Sequence, residues 1–347
     1  MRLLAIQLVT LVLLPIIIQA QDYDLVIKNG HVIDPKNGID GVFDLAVKDG
    51  LIASVAKNIK GEAEMVVDAD GKYVTPGILD IHTHNYHGNL GTYLANGFSS
   101  VQPDGFTFKA GVTTVVDCGS SGWRNFEQFK SQTIDKSKTR VLALLNIVGT
   151  GMKGGAWEQD LGDMDARLTA ATAKSFPEVV VGIKVAHYAG PEWDPVERGV
   201  EAGRLADIPV VIDFGGVEPE LSLETLLIEK LRPGDRFTNT FGHVRGRIPI
   251  VNDDGKLEPY IFTAQERGII FDVGHGGGSF RFDQAMPAMQ QGFRPNTIST
   301  DLHTGSMNGG MKDMLNVMSK FLNMGMNLQE VIATSTWRSE EHTSELQ

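Results

Sequence analysis

From Tyr23 to about Thr75, apolar and polar residues alternate in short segments, DLVIKNGHVIDPKNG, FDLAVKDGLIASVAKN and AEMVVDADGKYVTPG. Alternation with period two marks strands that are buried on one face. The pairs Asn29-Gly30, Asn37-Gly38, Asp49-Gly50 and Asp70-Gly71 punctuate them with residues suited to tight turns. Residues 21–75 are therefore expected to form the N-terminal part of a small β-sandwich domain.

After Pro76 the pattern changes to continuous apolar runs of strand length separated by longer, more polar stretches. Eight can be read: GILDIHTH, VTTVVDCG, RVLALLNIVG, VVVGIKVAH, IPVVIDFGG, RFTNTFG, GIIFDVGHGGG and NTISTDLHTG. Runs without alternation suit parallel strands buried on both faces. Eight of them with helical spacers predict an α/β fold, a (β/α)8 TIM-like barrel over residues 76–337, whose active site lies at the strands' C-terminal ends. Most of the runs end in Gly, His or Asp, so the polar residues fall where that rule wants them. Behind the eighth run, MKDMLNVMSKFLNMG repeats apolar residues at helical spacing, which assigns its methionines to the core.

The two ends read differently from the rest. MRLLAIQLVTLVLLPIIIQA has one Arg, a mostly apolar run from Leu3 to Ile18 and a small residue at Ala20. This is the layout of a signal peptide, residues 1–20, short for a bilayer span; cleavage after Ala20 would leave no stable membrane anchor, and an uncleaved N-terminal anchor is the rival reading. Arg338 to Gln347, RSEEHTSELQ, has no apolar period and resembles the translation of a sequencing adapter. The β-domain is accordingly expected to lack strands that follow the barrel.

Composition narrows the function. There are 31 Lys and Arg against 43 Asp and Glu, with the basic residues scattered, which argues against nucleic acid as a partner. Export combined with acidic, Gly-rich composition suits a bacterial periplasm. The single Cys118 forms no internal disulfide. A small-molecule substrate is expected, and a homo-oligomer is compatible with everything above.

The candidate chemistry begins in GILDIHTHNYHG, which holds three of the chain's 9 histidines. In an extended chain residues i and i+2 share a side, so His82 and His84 can share one ion. Further strand ends carry Lys184, Asp213, Asn239, His275 and Asp301. A lysine inside an apolar run is costly unless it is paired or altered, for example carboxylated by CO2 to an anionic oxygen ligand. Asp301 is placed to take a proton from a water activated by a divalent ion. The glycines after His275, from Gly276 on, leave room and backbone N–H groups for a substrate. His303, like His87 and His187, follows a strand end and is a candidate for lining the mouth. Arg245 and Arg247 could hold a substrate carboxylate.

VTPGILDIHTH after an N-terminal β-domain, then VGIKVAH and ISTDLH in that order, resemble the amidohydrolase superfamily. FDVGHGGGSF followed by STDLHTGSMNGGMKDMLNVMSKFLNMG is similar to its amidohydrolase/deacetylase metallohydrolase subgroup, which is related to dihydroorotases. The resemblance covers Tyr23 to Trp337. It implies one or two divalent ions, zinc first among them, and hydrolysis of an amide or ester of a small acylated metabolite such as an N-acyl amino acid. By position it gives His82 and His84 to the more buried ion, makes Lys184 a carbamate bridging to a second, and makes Asp301 both ligand and proton shuttle.

The chain departs from that pattern twice. Asp213 stands where the family usually has a fifth-strand His, and Asn239 where it has a sixth-strand His, both ligands of the second ion. Asp213 and Asn239 offer oxygen instead, which suits a harder ion. His243, four residues after Asn239, could restore the imidazole if its loop turned back. Two other functions stay open on sequence: a dihydroorotase-like cyclic-amide hydrolase, and a binding protein that kept the barrel without catalysis.

Overall fold

The computed structural model describes residues 22–88, 99–213 and 220–341, so the N-terminal apolar run and its cleavage site lie outside the described residues. The described residues pack as two compact units, 22–32 with Asp40–Val74, and Ile33–Ile39 with those of 75–341.

In the first, β1 (Tyr23–Asp34), β2 (Ile39–Lys48), β3 (Leu51–Ala56), β4 (Ala63–Asp68) and β5 (Tyr73–Val74) form one sheet in the order β3-β2-β1-β4, with β5 also on β1. The Asp49-Gly50 turn between β2 and β3 has φ of 52° and 75°, the positive values a tight antiparallel hairpin needs. Asn29-Gly30 is not a turn: β1 runs straight through it. Asn29 adopts φ 61° because its N–H and Nδ2 donate to Asp44 Oδ1 and Asp68 Oδ1, both at 3.0 Å. The expected sandwich is not formed by the described residues, which build a single sheet over a small cluster of Val26, Ala46 and Ile59. Leu51, Ile52, Met65, Val66 and Tyr73 are left exposed.

The second unit holds a curled parallel sheet of β6 (Ile78–Thr83), β7 (Val112–Gly122), β8 (Arg140–Asn146), β9 (Val180–Ala186), β10 (Val210–Asp213), β11 (Arg236–Phe237) and β12 (Ile270–Phe271), paired in chain order. Its two faces bury separate apolar sets. Ile81, Val116, Cys118, Leu142, Leu144, Val181 and Val211 form one cluster, while Val115, Ala143, Ile183, Ile212, Phe237 and Phe271 belong to a larger one shared with the helices. Burial on both sides is why these runs read as continuous apolar sequence.

Seven strands form where eight runs were read. The eighth run lies in place but is not a regular strand: it bridges both edges of the sheet through Asp272 with Thr297 and Thr83 with Leu302. Its ladder breaks because Thr300 gives its N–H to the Asp80 carboxylate at 3.0 Å and Asp301 takes φ 51°. The helix Met314–Asn323 buries Met314, Val317 and Phe321, as its spacing implied. The helix Trp337–Glu341 takes in the first residues of the RSEEHTSELQ segment. No helix among the described residues is long and apolar enough to cross a membrane.

Candidate metal centre

His82 and His84 leave the end of β6 on one side, as the i, i+2 relation requires, with ring centroids 5.5 Å apart. The left-handed turn at Asp301 swings its carboxylate to face both: Oδ1 lies 3.4 Å from His82 Nε2 and 3.1 Å from His84 Nε2. Two donors on one tetrahedral ion, with bonds near 2.1 Å, stand about 3.4 Å apart. The ligand atoms of His82, His84 and Asp301 all lie within 4.8 Å of one another, and all three residues are buried.

The far nitrogen of each imidazole is fixed by a hydroxyl. His82 Nδ1 lies 2.8 Å from Thr238 Oγ1, and that hydroxyl donates to Asp272 Oδ2 at 2.7 Å. Because the threonine proton goes to the carboxylate, the oxygen must accept from Nδ1–H, which turns the lone pair of Nε2 toward Asp301. Asp272 also accepts from Thr297 and Ser299, both at 2.7 Å. Burial alone would raise its pKa, but the nearby His82 ring, its Nδ1 3.8 Å away, and Arg236 hold it below the ordinary value. His84 repeats the device: Nδ1 lies 3.1 Å from Ser120 Oγ, and Ser120 in turn is hydrogen-bonded to the buried Asp117.

The fit to a divalent cation follows from this donor set: two imidazoles held with Nε2 inward and a carboxylate at ligand spacing. Burial works against a proton on His82, yet the Cys118 sulfur and the Asp301 carboxylate raise its pKa well above the usual value, so the site attracts positive charge. Asn239 adds an orphan: its Nδ2 donates to Gly274 O at 2.7 Å while the buried Oδ1 has no partner.

Lys184 is fully buried on β9, its Nζ 3.1 Å from Cys118 Sγ and 3.8 Å from Asp213 Oδ2. Desolvation opposes its charge, but Cys118 and Asp213 outweigh that and raise its pKa. Asp213 closes β10 and faces a residue whose role the sequence left at a mouth-lining loop. His187 Nε2 lies 3.3 Å from Asp213 Oδ2, and its Nδ1 lies 2.9 Å from the buried Glu158 Oε2. Burial pushes the His187 pKa down, but these two carboxylates push it further up, to about 10.

The other candidates have partners of their own. His243 is exposed: the turn closes with Gly242 N–H on Asn239 O at 2.8 Å, but the next side chain, His243, is left in solvent. His275 is not presented to a substrate: its ring stacks on Phe280 with centroids 4.3 Å apart, Nε2 accepts from Lys320 Nζ at 2.8 Å and Nδ1 donates to Gly276 O at 2.8 Å. The N–H groups of His275 and Gly276 are given to Ser299 O and Thr300 O at 3.2 and 2.8 Å, which removes them as oxyanion donors. Gly276 matters for another reason: at φ 51°, a Cβ there would overlap Asp301 Oδ2. Arg247 is buried and donates to Asn239 O at 2.9 Å.

His303 stays beside the site, its ring centroid 6.2 Å from that of His84. Its Nδ1 accepts the Gly305 N–H at 3.1 Å, and burial lowers its pKa, leaving a neutral ring whose Nε2 carries the proton. Asp117, Ser120, Asp272 and Glu158 were missed in the sequence. The signal available for the aspartates was an acid inside an apolar run, VVDCG and FDVGH, which is stable only when fully partnered.

No family model matches the chain. It is 35% identical over 312 residues to a deacetylase of Brucella anthropi, covering 86% of this chain and 73% of that protein. Among solved structures, it is similar to an adenine deaminase (TM-score 0.81, 29% identity, covering 93% of this chain and 85% of that one). It is also similar to a dihydroorotase (TM-score 0.78, 29% identity, covering 92% and 84%).

Proposed function

Since this chain belongs to the amidohydrolase superfamily of metal-dependent hydrolases acting on carbon–nitrogen bonds, we propose that it removes the acyl group from a small acylated metabolite such as an N-acyl amino acid. An ester of the same shape is the second substrate class. The observation that carries the reading is the buried group of His82, His84 and Asp301 at the C-terminal ends of the sheet. The deacetylase likeness over most of both chains supports the choice of a linear acyl group.

His82, His84 and Asp301 would hold the ion, with zinc favoured by the imidazole donors. When bound, it supplies a Lewis acid for the scissile carbonyl and lowers the pKa of water at neutral pH. Asp301 takes the proton of the attacking water and returns it to the leaving nitrogen as the carbon–nitrogen bond breaks. His303, with its proton on Nε2, donates a hydrogen bond to the substrate beside His84. Once its ammonium has given up a proton, the Lys184 amine would add CO2 through a new nitrogen–carbon bond and lose a second proton, offering anionic carbamate oxygens to hold a divalent ion. The N-terminal run directs export to a bacterial periplasm.

The likeness to a dihydroorotase favours a second reading, hydrolysis of a cyclic amide. A panel of N-acetyl amino acids, acetyl esters and cyclic imides, assayed on zinc-loaded and chelator-treated protein, separates them. Zinc-dependent turnover of the linear amides is expected. Turnover of cyclic imides alone would move the chain to the second reading, and no turnover of any would make it a binding protein.

A further inference from the structure

The two positions that usually supply imidazoles to a second ion are Asp213 and Asn239 here, and His243 does not replace them. We infer that His187 does, and that a second divalent cation is held by Asp213, His187 and the modified Lys184. The inference rests on the metal-dependent reading above and assigns a ligand that reading does not contain.

The geometry converges on one oxygen. Asp213 Oδ2 lies 3.3 Å from His187 Nε2 and 3.8 Å from Lys184 Nζ. The first distance matches the roughly 3.4 Å between two ligands of one tetrahedral ion. The second lets an oxygen added beyond Nζ reach the same place. His187 Nδ1, 2.9 Å from Glu158 Oε2, gives the ring the carboxylate–histidine–metal arrangement that holds a ligand's Nε2 forward. Glu158 is itself pinned, because its Oε1 accepts the Gly154 N–H at 2.8 Å.

The backbone is committed to this placement. His187 sits just beyond β9 at φ 57°, a left-handed conformation that few residues other than glycine adopt. Asn239 and Asp301 at two other strand ends do the same, at 52° and 51°. Each turn brings a side chain back over the end of the sheet. Asn239, with its unpartnered Oδ1, closes the strand beside Asp213, since Thr238 N–H bonds to Ile212 O at 3.1 Å.

The test is a metal count. Full-length protein is stripped, dialysed against Zn2+ in bicarbonate buffer and analysed for zinc per chain; Co2+ loading gives the coordination spectrum of each ion. We expect near two ions in the wild type, near one in His187→Ala, and a second site about 10-fold weaker in Glu158→Gln. His187→Ala leaves the buried Glu158 carboxylate without its partner, so its unfolding is followed on metal-stripped protein: one cooperative transition, at a lower temperature than the wild type, shows that any lost ion is not lost fold. One ion or fewer in the wild type, or two in His187→Ala, overturns the inference. His84→Ala reports separately on the first ion: if it loses none, the functional reading fails whatever His187 does.

Discussion

His82 Nδ1 and Thr238 Oγ1 meet at 2.8 Å, a bond that joins the two strand ends β6 and β11. The threonine passes the constraint on to Asp272, so a single hydroxyl decides which nitrogen of His82 faces the ion. Thr238→Val keeps the shape and removes the hydroxyl. Metal affinity should fall about 10- to 100-fold, while Thr238→Ser restores it. Competition with a chelator measures this directly; equal affinity in all three proteins would show that the relay does not orient the ligand.

Asp301→Asn keeps the size and the left-handed turn but cannot accept a proton. On the mechanism above, kcat should drop about 10²- to 10⁴-fold, with the unfolding transition unchanged. Metal should still bind through His82 and His84, more weakly. Full activity at saturating zinc would rule Asp301 out as the shuttle.

What the sequence made legible, and what it did not, divides along a physical line. His82 and His84 could be read because their partnership is local, two residues apart on one strand. The parallel sheet could be read because burial on both faces writes continuous apolar runs. The relays through Thr238 and Ser120, and the meeting of His187 with Asp213 and Glu158, depend on contacts between residues far apart in the chain. No spacing encodes those. His275 misled for the same reason: its position between glycines suggested an open loop, whereas Lys320 and Phe280 from later helices and turns occupy its ring. The eighth strand was read as regular from its run alone; its backbone is diverted by Asp80 on the adjoining β6, which pairs with Thr300 although the two are far apart in the chain.

Gly276 tests how tightly Asp301 is confined. Gly276→Ala adds one methyl group against the Asp301 carboxylate at a backbone angle that alanine also resists. The strain at φ 51° should destabilise the fold by about 1–2 kcal/mol. Activity should fall further than this, because the carboxylate is displaced from the two imidazoles. Gly278→Ala is the control, since a Cβ there meets nothing within 4 Å. Equal kinetics in the two variants would mean that the site tolerates a shift of Asp301.

His275 makes the stability depend on pH. Burial is the main cause that lowers its pKa, and the ammonium of Lys320, 2.8 Å from Nε2, adds to it, while Gly276 O and Asp301 act in the opposite sense; the net value is about 4 against an ordinary 6.5. A depressed histidine is neutral in the folded protein and takes up its proton sooner in the unfolded chain. Its contribution is therefore complete above pH 6.5 and is lost as pH falls toward 4, a change of roughly 3 kcal/mol if the shift is fully expressed. His275→Phe keeps the stack on Phe280 and cannot titrate. Its absolute stability will be lower, because Gly276 O and Lys320 lose a partner, so the informative quantity is the slope. Denaturant titrations of both proteins between pH 7.5 and 4 should show the wild type losing stability more steeply than the variant. Parallel slopes would place the ring in solvent or protonate it in the fold, and would reopen His275 as a group available to a substrate.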